Sequence, residues 1–374
     1  MEEINLLKKL ISIPSYVDED KNADESKLGE YIGNFLASEC KWFILSKQKV
    51  VNNRFNIIAN DGYNPKIIFV CHMDTVKPAG NIENNFQARI VGNKLFGLGA
   101  ADMKGGIAAL LYAIKKVGST KGVTLIFDCD EEYYFSGIKK LLAEYTFQPK
   151  LVICPEPTGL QIVNGCRGII ELSFNVLGKT AHAGTPNKGV NSIVQAVKLI
   201  EILNKNLTKR LSTDLEKTTV NLASLQGGVN INNKIKIQAN SVPNIAKVLL
   251  DLRTSDPEIN AEYVFNKIGL IAKRLHIKIE KKTINLDYQS YLIAKNNLRL
   301  LENAIGKVKD ESIYIKNLSS IGFLESALIY KKWNVPAVSF GPKGVYHSEN
   351  EYVDIKSLIV VRKIFEKLIR NLKN

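Results

Sequence analysis

The sequence lacks long hydrophobic runs and a recognisable export signal. None of its 374 residues lies in an apolar stretch long enough to span a bilayer. The first residues, Met1-Glu-Glu-Ile4, lack the basic start and apolar block of a signal peptide. We therefore expect no membrane partner and a cytoplasmic location.

Cysteine is also scarce, with five residues at spacings unlike those of zinc fingers. An odd number of cysteines without such spacing does not fit a disulfide framework. Cys71, Cys129 and Cys154 stand at or just after strand-like runs, where small buried side chains are common. We expect these cysteines to be structural.

Acidic residues are fewer than basic ones, 37 against 51, which leaves a net charge of +14. The basic residues are dispersed and are not interleaved with aromatic residues in one segment, so we expect no nucleic-acid partner. Segment 97–102 lacks the third glycine and the lysine of a phosphate-binding loop. The positive charge can instead raise the local concentration of anionic substrates.

The sequence does contain a repeated arrangement in which side chains that suit a metal follow apolar, strand-like runs. Two of the four histidines belong to it. The candidates are His72 and Asp74 after 67–71, Asp102 in the glycine-rich loop 97–106, Glu131 and Glu132 after 123–127, Glu156 after 151–154, and His347 after 336–340. Because sites in open α/β sheets form outside the carboxyl ends of the strands, we expect these side chains to converge.

The spacing within two of the motifs predicts a division of labour. Side chains two apart on an extended segment point the same way, so Asp74 can orient His72 and leave one imidazole nitrogen free for a metal. The adjacent Glu131 and Glu132 cannot point in one direction. We expect one of them to ligate metal and the other to handle protons.

Charge supplies the reason for a metal. Five carboxylates in one pocket would repel each other without a cation, and some would have to protonate. Two divalent ions neutralise such a cluster, and zinc accepts the nitrogen and oxygen ligands on offer. Each motif alone is weak, since a glutamate pair is more often a solvated helix face, but the ordered set is a stronger signal.

Together the motifs resemble the co-catalytic zinc hydrolase family that includes acetylornithine deacetylase, succinyl-diaminopimelate desuccinylase and glutamate carboxypeptidase. The resemblance runs nearly end to end. It implies two Zn(2+) ions, with Co(2+) or Mn(2+) as alternatives. It also implies the metal ligands, which would be His72, Asp102 and Glu156 for one ion and Asp102, Glu132 and His347 for the other, with Asp102 bridging.

The same resemblance implies roles for three further residues. Glu131 matches the general acid/base position, and Asp74 matches the residue that supports the ligating histidine. His182, in the segment Gly178-Lys-Thr-Ala-His-Ala-Gly184, matches the donor that stabilises the oxyanion and would reach the active site of a partner subunit in a homodimer.

Substrate recognition rests on weaker signals. Asn240 and Arg253 resemble family residues that contact the substrate's carboxylate, and the planar fork of arginine suits that task. Arg253 could equally be a solvated strand end. Ile321 stands where many relatives carry an aspartate, although the neighbouring Ser319 and Ser320 could still contact a substrate.

Periodicity predicts an α/β fold with a mostly parallel sheet flanked by helices, and a second, smaller domain in which strands and helices alternate. The resemblance implies that the first is the catalytic domain and that the second is an inserted α+β dimerisation domain. We place the catalytic domain at 1–167 and 283–374 and the dimerisation (lid) domain at 168–282. The amphipathic ending 354–370 predicts a helix that packs on the sheet.

The function that these features favour is metal-dependent amide hydrolysis. The enzyme would remove the acyl group of an N-acyl amino acid, as a deacetylase or desuccinylase does, or cleave the C-terminal residue of a small peptide. The alternative is a catalytically lapsed dimeric protein of the same fold that binds a metal or ligand. Glu131 counts against that alternative, because a storage protein has no use for a general base. The sequence does not choose the acyl group.

Overall fold

A computed structural model describes residues 2–18, 24–80, 85–209, 215–232, 234–306, 314–315 (main chain only) and 324–372. The chain forms two compact units. The first unit lies within Met1–Asn164, Ile293–Asn317 and Leu324–Asn374, and the second within Gly165–Leu292.

The helices and strands are numbered here in chain order. The helices are α1 (Glu2–Ile11), α2 (Ser26–Glu39), α3 (Lys104–Val117), α4 (Ser136–Glu144), α5 (Ser192–Leu207), α6 (Ala261–Arg274), α7 (Arg299–Gly306), α8 (Glu325–Trp333) and α9 (Ile355–Asn371), with short 3-10 helices at Pro186–Lys188 and Lys295–Leu298. The strands are β1 (Ile44–Val51), β2 (Arg54–Asn60), β3 (Ile67–His72), β4 (Arg89–Val91), β5 (Lys94–Phe96), β6 (Val123–Asp128), β7 (Leu151–Cys154), β8 (Gln161–Ile162), β9 (Gly165–Cys166), β10 (Gly168–Leu177), β11 (Thr219–Ile231), β12 (Lys234–Lys236), β13 (Ile245–Thr254), β14 (Lys278–Tyr288), β15 (Tyr291–Leu292), β16 (Tyr314–Ile315), β17 (Ala337–Ser339), β18 (Gly344–Val345) and β19 (Tyr352–Asp354).

The first unit is built around a six-stranded sheet in the order β1-β2-β6-β3-β7-β17. Strands β6, β3, β7 and β17 are mutually parallel, and β2 joins β6 in antiparallel fashion. Every residue of β3, β6 and β7 is buried. Continuous apolar runs of this kind are typical of parallel strands that are covered on both faces. The predicted mostly parallel sheet is confirmed.

The C-terminal helix α9 packs on this sheet, as its apolar stripe predicts. Phe365 of α9 meets Phe69 of β3 edge to face, with ring centroids 5.0 Å apart. Phe340, just after β17, packs against the same Phe365 ring, with ring centroids 6.3 Å apart. Large aromatic side chains therefore join the helix to the centre of the sheet.

A smaller antiparallel sheet, β18-β19-β5-β4, also belongs to the first unit. It pairs β19, near the C-terminus, with β5, which precedes α3. Two segments that are far apart in the sequence, 94–102 and 347–354, are thereby brought side by side.

The second unit is a five-stranded antiparallel sheet in the order β12-β11-β13-β10-β14, with helices α5 and α6 packed against it. Asparagine side chains cap both helices: Asn191 accepts from the amides of Ile193 and Val194, and Asn260 accepts from the amide of Tyr263. Its core comes from alternate positions of β10 and β13 together with the apolar faces of the helices. This is the predicted smaller α+β arrangement.

The limits of the second unit differ from the predicted 168–282. The unit continues to Leu292, because β14 pairs with β10 and adds an edge strand that runs past residue 282. All five cysteines are buried and none forms a disulfide bond, which agrees with the structural role predicted for Cys71, Cys129 and Cys154. Within the described residues, no helix is both long enough and apolar enough to cross a membrane.

Candidate metal centre and active site

The parallel strands deliver the candidate residues of the first unit to one place. His72 is the last residue of β3, Glu156 follows β7 by two positions, and Glu131 and Glu132 follow β6. Asp102 arrives from the loop before α3. Neighbouring parallel strands end at the same edge of a sheet, so these side chains meet there.

The first group of potential ligands is His72, Asp102 and Glu156, all of them buried. The His72 Nε2 atom lies 3.0 Å from Oδ1 of Asp102 and 3.8 Å from Oε1 of Glu156. One ligand atom from each residue lies within 4.8 Å of the others. These separations suit three donors around one small cation.

The second group is Asp102, Glu132 and His347. The His347 Nε2 atom lies 3.4 Å from Oδ2 of Asp102 and 3.0 Å from Oε2 of Glu132. Asp102 thus turns one carboxylate oxygen toward each histidine. The geometry matches a carboxylate that joins two neighbouring cation positions.

Close backbone packing brings the two halves of the first group together. A Cβ atom on Gly106, in the first turn of α3, would lie 2.1 Å from the carbonyl oxygen of Pro155. A Cβ atom on Gly341 would lie 2.2 Å from the carbonyl oxygen of Glu156. Only glycine permits these approaches, the first of which brings the start of α3, just after Asp102, against the segment that carries Glu156.

The chemistry of the donors fits a divalent metal. The buried Oε1 atom of Glu156 has no hydrogen-bond partner among the described residues, and an unpaired buried carboxylate oxygen is costly. The Nδ1 atom of His72 lies 3.1 Å from the Asp74 carbonyl oxygen, which can only accept, so Nδ1 must carry the hydrogen. In the neutral ring Nε2 is then free to bind a cation.

The predicted support of His72 by the Asp74 carboxylate takes a different form in the structure. The carboxylate lies 3.7 Å from Nδ1, and the Asp74 carbonyl makes the closer contact. The two carboxylate oxygens instead accept the amide N–H groups of Glu131 and Glu132 at 3.0 and 3.1 Å. Asp74 therefore holds the turn that carries the glutamate pair, because that turn presents two free N–H groups to it.

A second interaction holds the same turn. Asp130 has a left-handed backbone with φ of 67°, which is uncommon for a residue other than glycine. Its carboxylate accepts from the guanidinium of Arg54 at 3.1 Å and from the hydroxyl of Ser136. Arg54 is paired on its other side with the buried Glu25. The turn is thus fixed from two directions.

The carboxyl groups of the site have perturbed pKa values. Burial raises the pKa of Glu131 well above its usual range, and the charges of Glu156 and Glu132 add to the increase against the opposing effect of His72. Burial likewise raises the pKa of Glu156, with the charge of Asp102 next. A raised pKa brings a carboxyl closer to the range in which it can both accept and release a proton near neutral pH, as general acid/base work requires.

The pKa of His72 is shifted in the direction that its acidic neighbours favour. Burial lowers the pKa of His72, but the hydrogen bond to Asp102 and the charges of Glu156 and Glu131 outweigh burial and raise it well above the usual range. Without a cation, the cluster therefore holds extra protons.

The remaining predicted site residues lie in the second unit. His182 is exposed, and its Nδ1 atom accepts the amide N–H of Gly184 at 3.0 Å, so the neutral ring carries its hydrogen on Nε2. The carbonyl of Asn240 accepts the amide of Ala183. Ser319, Ser320 and Ile321 lie outside the described residues.

Arg253, the second predicted carboxylate contact, already has a partner. Its Nε and NH2 atoms donate to the two carboxylate oxygens of Asp251 at 2.9 and 3.1 Å. This bidentate pair uses the same fork that a substrate carboxylate would need.

Three acidic residues near the site were not singled out from the sequence. Glu351 accepts hydrogen bonds from the amides of Ala101 and Asp102. Asp128 and Glu325 are fully buried, and burial raises the pKa of Asp128 to about 7. Asp128 stands at the end of β6, in the same segment as Glu131 and Glu132. The isolated glutamates at 325 and 351 carry no local signal, because only the fold brings them near the candidate ligands.

Comparison with known proteins places this arrangement in context. The profile of the Peptidase family M20/M25/M40 matches residues 68–371, most of the chain. The chain is 26% identical to the acetylornithine deacetylase of Buchnera aphidicola subsp. Schizaphis graminum, over 98% of this chain and 97% of that protein. It is also 26% identical to the succinyl-diaminopimelate desuccinylase of Pelagibacter ubique, over 99% and 98%.

The fold has counterparts among solved structures. A tripeptidase from Staphylococcus aureus superposes with a TM-score of 0.77 at 21% identity, covering 99% of this chain and 97% of that one. At this identity the similarity concerns the fold alone. It agrees with the mixed α/β architecture described above.

The pKa shifts predict how the stability of metal-free protein depends on pH. Folded Glu131 and Glu156 keep protons that an unfolded chain releases above a pKa of about 4.5, and His72 acts in the same sense at higher pH. This stabilisation is complete below pH 4.5 and is lost as the pH rises through the folded pKa values. We expect chelator-treated protein to have a lower thermal midpoint at pH 8 than at pH 5.5.

Differential scanning calorimetry at both pH values measures this dependence. Glu131→Gln should reduce the decrease in the midpoint, whereas Glu349→Gln, on the exposed part of the His347 segment, should leave it unchanged. A midpoint that stays constant or rises between the two pH values would contradict the prediction.

Proposed function

The chain belongs to the peptidase family M20/M25/M40, and we propose that its metal-dependent amide hydrolysis takes place at the carboxylate and histidine cluster of the first unit. The observation that carries this proposal is the position of the Asp102 carboxylate, which places one oxygen toward His72 and the other toward His347. The noncatalytic alternative is not favoured, since the relatives are named as deacylating enzymes.

We assign the metal ligands as the two groups described above, His72, Asp102 and Glu156 for one ion and Asp102, Glu132 and His347 for the other. Imidazole nitrogen together with carboxylate oxygen suits zinc, and Co(2+) or Mn(2+) can occupy such a site as well. When bound, the metal pair supplies Lewis acidity and a nucleophile that is active near neutral pH.

Glu131 is the general acid/base in this proposal. Its carboxylate takes a proton from the attacking water and returns it to the amine nitrogen that leaves, and the raised pKa helps the carboxyl to hold that proton between the two steps. Asp74 and Asp130 fix the turn on which Glu131 is placed, so the carboxyl is already oriented before substrate binds.

Glu131→Gln should reduce kcat by about 10²–10⁴-fold, because glutamine has a similar shape but cannot exchange a proton. Metal content should stay as in the wild type, since Glu131 is not one of the assigned ligands. The measurements are steady-state kinetics and metal analysis of the same preparation. Turnover retained at the wild-type rate would refute the role of Glu131.

The substrate in this proposal is an N-acyl amino acid or a small peptide with a free carboxylate. Asn240 and Arg253 are the proposed contacts to that carboxylate. Because Arg253 is paired with Asp251, a substrate would have to share or replace this partner. The excess of positive charge on the chain supports an anionic substrate.

A matched set of substrates tests this reaction class. N-acetyl and N-succinyl derivatives of one amino acid are compared with a dipeptide and with the carboxamide form of each compound. We expect hydrolysis of at least one free acid, weaker turnover of its carboxamide, loss of activity with chelator and recovery with Zn(2+), Co(2+) or Mn(2+). Hydrolysis that a chelator does not affect would overturn the proposal.

The homodimer and the catalytic role of His182 also belong to this proposal. The His182 ring carries its hydrogen on Nε2 and is exposed, so it can donate to an oxyanion. We propose that it does so in the active site of a partner copy of the chain, which makes the dimer part of the catalytic unit.

Complementation between two inactive variants tests this idea. His182→Ala should lower kcat by about 10²–10³-fold with metal content unchanged. Refolding it together with Glu131→Gln should restore roughly a quarter of the wild-type activity, since half the dimers are mixed and each has one complete site. No recovery on mixing, or a fully active monomer in sedimentation, would contradict action across the dimer.

A further inference from the structure

The loop that carries Asp102 is held at both ends by one residue. The amide N–H groups of Ala101 and Asp102 both donate to Oε1 of Glu351, at 3.0 and 3.1 Å. At the start of the loop, the amide of Gly97 donates to the main-chain carbonyl of Glu351 at 3.1 Å. The whole segment between β5 and α3 is therefore fastened to Glu351.

The environment of Glu351 favours these hydrogen bonds. The residue is only 4% exposed, and a buried carboxylate is tolerated where N–H groups compensate for lost water. The two amides stand just before α3, where the positive end of the helix dipole favours an anion. Met103, the residue that precedes α3, makes no side-chain hydrogen bond that caps the helix.

Glu351 also connects the Asp102 loop with the segment of His347. It lies four residues after His347 and directly before β19, whose Tyr352 and Val353 pair with Phe96 and Leu95 of β5. A movement of the Asp102 loop relative to this segment would change the 3.4 Å separation between His347 Nε2 and Asp102 Oδ2.

We propose that Glu351 is a positioning residue that fixes the Asp102 carboxylate between His72 and His347. It acts through the backbone of Ala101 and Asp102 and does not itself bind metal or substrate. The inference rests on the proposed function, in which Asp102 bridges the two metal ions. A bridging ligand must serve two positions at once, so small displacements of its loop affect both.

The test compares three substitutions at Glu351 in the full chain with a control in the same segment. Glu351→Ala removes the acceptor, Glu351→Gln keeps one acceptor oxygen at the same reach, and Glu351→Asp shortens the side chain by one methylene. Glu349→Ala is the control, because Glu349 is an exposed glutamate two residues away. The measurements are zinc affinity by chelator competition, the visible spectrum of the Co(2+) form, and kcat and KM.

We expect Glu351→Ala to weaken zinc binding or lower kcat by about 10–100-fold, the usual effect of losing a residue that orients a metal ligand. KM should stay close to the wild-type value, and the Co(2+) spectrum should change because the ligand geometry changes. Glu351→Gln should recover most of the loss and Glu351→Asp little of it. The Glu349→Ala control should match the wild type.

Two results would overturn the proposal. One is a Glu351→Ala protein with wild-type zinc affinity and kcat. The other is a Glu351→Gln protein that loses as much zinc affinity and kcat as Glu351→Ala although it keeps an acceptor oxygen, which would show that the hydrogen bonds to Ala101 and Asp102 do not position the Asp102 carboxylate. If Glu351→Ala does not fold, the Gln and Asp variants decide by the same measurements.

The proposed function and the role of Glu351 would be refuted by different results. A wild-type chain that binds no metal and hydrolyses no amide would refute the proposed function. A wild-type chain that does both, together with a Glu351→Ala variant that equals it, would refute only the role of Glu351.

Discussion

The first unit gathers more negative charge in a buried place than its own cations can neutralise. Asp102 lies between His72 and His347, while Glu156 contributes a buried oxygen without a hydrogen-bond partner among the described residues. Such a cluster must bind protons or metal ions. Protonation neutralises the charge but occupies the atoms that would bind a metal. Divalent ions neutralise the charge and also create a reactive centre. In the proposed function, folding, metal binding and catalysis are linked through this one electrostatic requirement.

The fold keeps the acidic side chains close together by fixing the main chain of the turns that carry them, and not only the side chains themselves. Two carboxylates outside the assigned ligand set use the same device: Asp74 accepts two consecutive amides at Glu131 and Glu132, and Glu351 accepts two consecutive amides at Ala101 and Asp102. A carboxylate that binds two N–H groups of one turn restrains its rotation as well as its position. The acidic side chains on those turns can then be held close together despite their repulsion.

In the proposed function, substrate selection depends on a different unit from the metal ligands. Asn240 and Arg253, the proposed substrate contacts, belong to the second unit, as does His182, and the core of that unit contains none of the proposed metal ligands. The fold is shared with a tripeptidase at 21% identity, and a fold by itself does not determine the substrate. Arg253 has the side chain that suits a substrate carboxylate, but in the folded chain it is already paired with Asp251.

The order of apolar runs and acidic motifs was enough to predict the parallel sheet, the second unit of strands and helices, and the candidate ligands that the structure brings together. These features depend on local periodicity and on the rule that parallel strands end at one edge, both of which can be read along the chain. The far limit of the second unit was placed too early, because β14 continues as an edge strand only through its pairing with β10.

Tertiary structure alone decided how the candidate residues are supported. The sequence indicated that Asp74 supports His72. In the folded chain, the Asp74 carboxylate instead accepts hydrogen bonds from the amides of the turn at 131–132. The main-chain carbonyl of Asp74 contacts the His72 ring. Glu351 and Glu325 give no signal in the sequence, since their neighbours at the site come from segments hundreds of residues away or from other strands. Hydrogen bonds between distant backbone groups have no sequence periodicity, so only the folded chain reveals them.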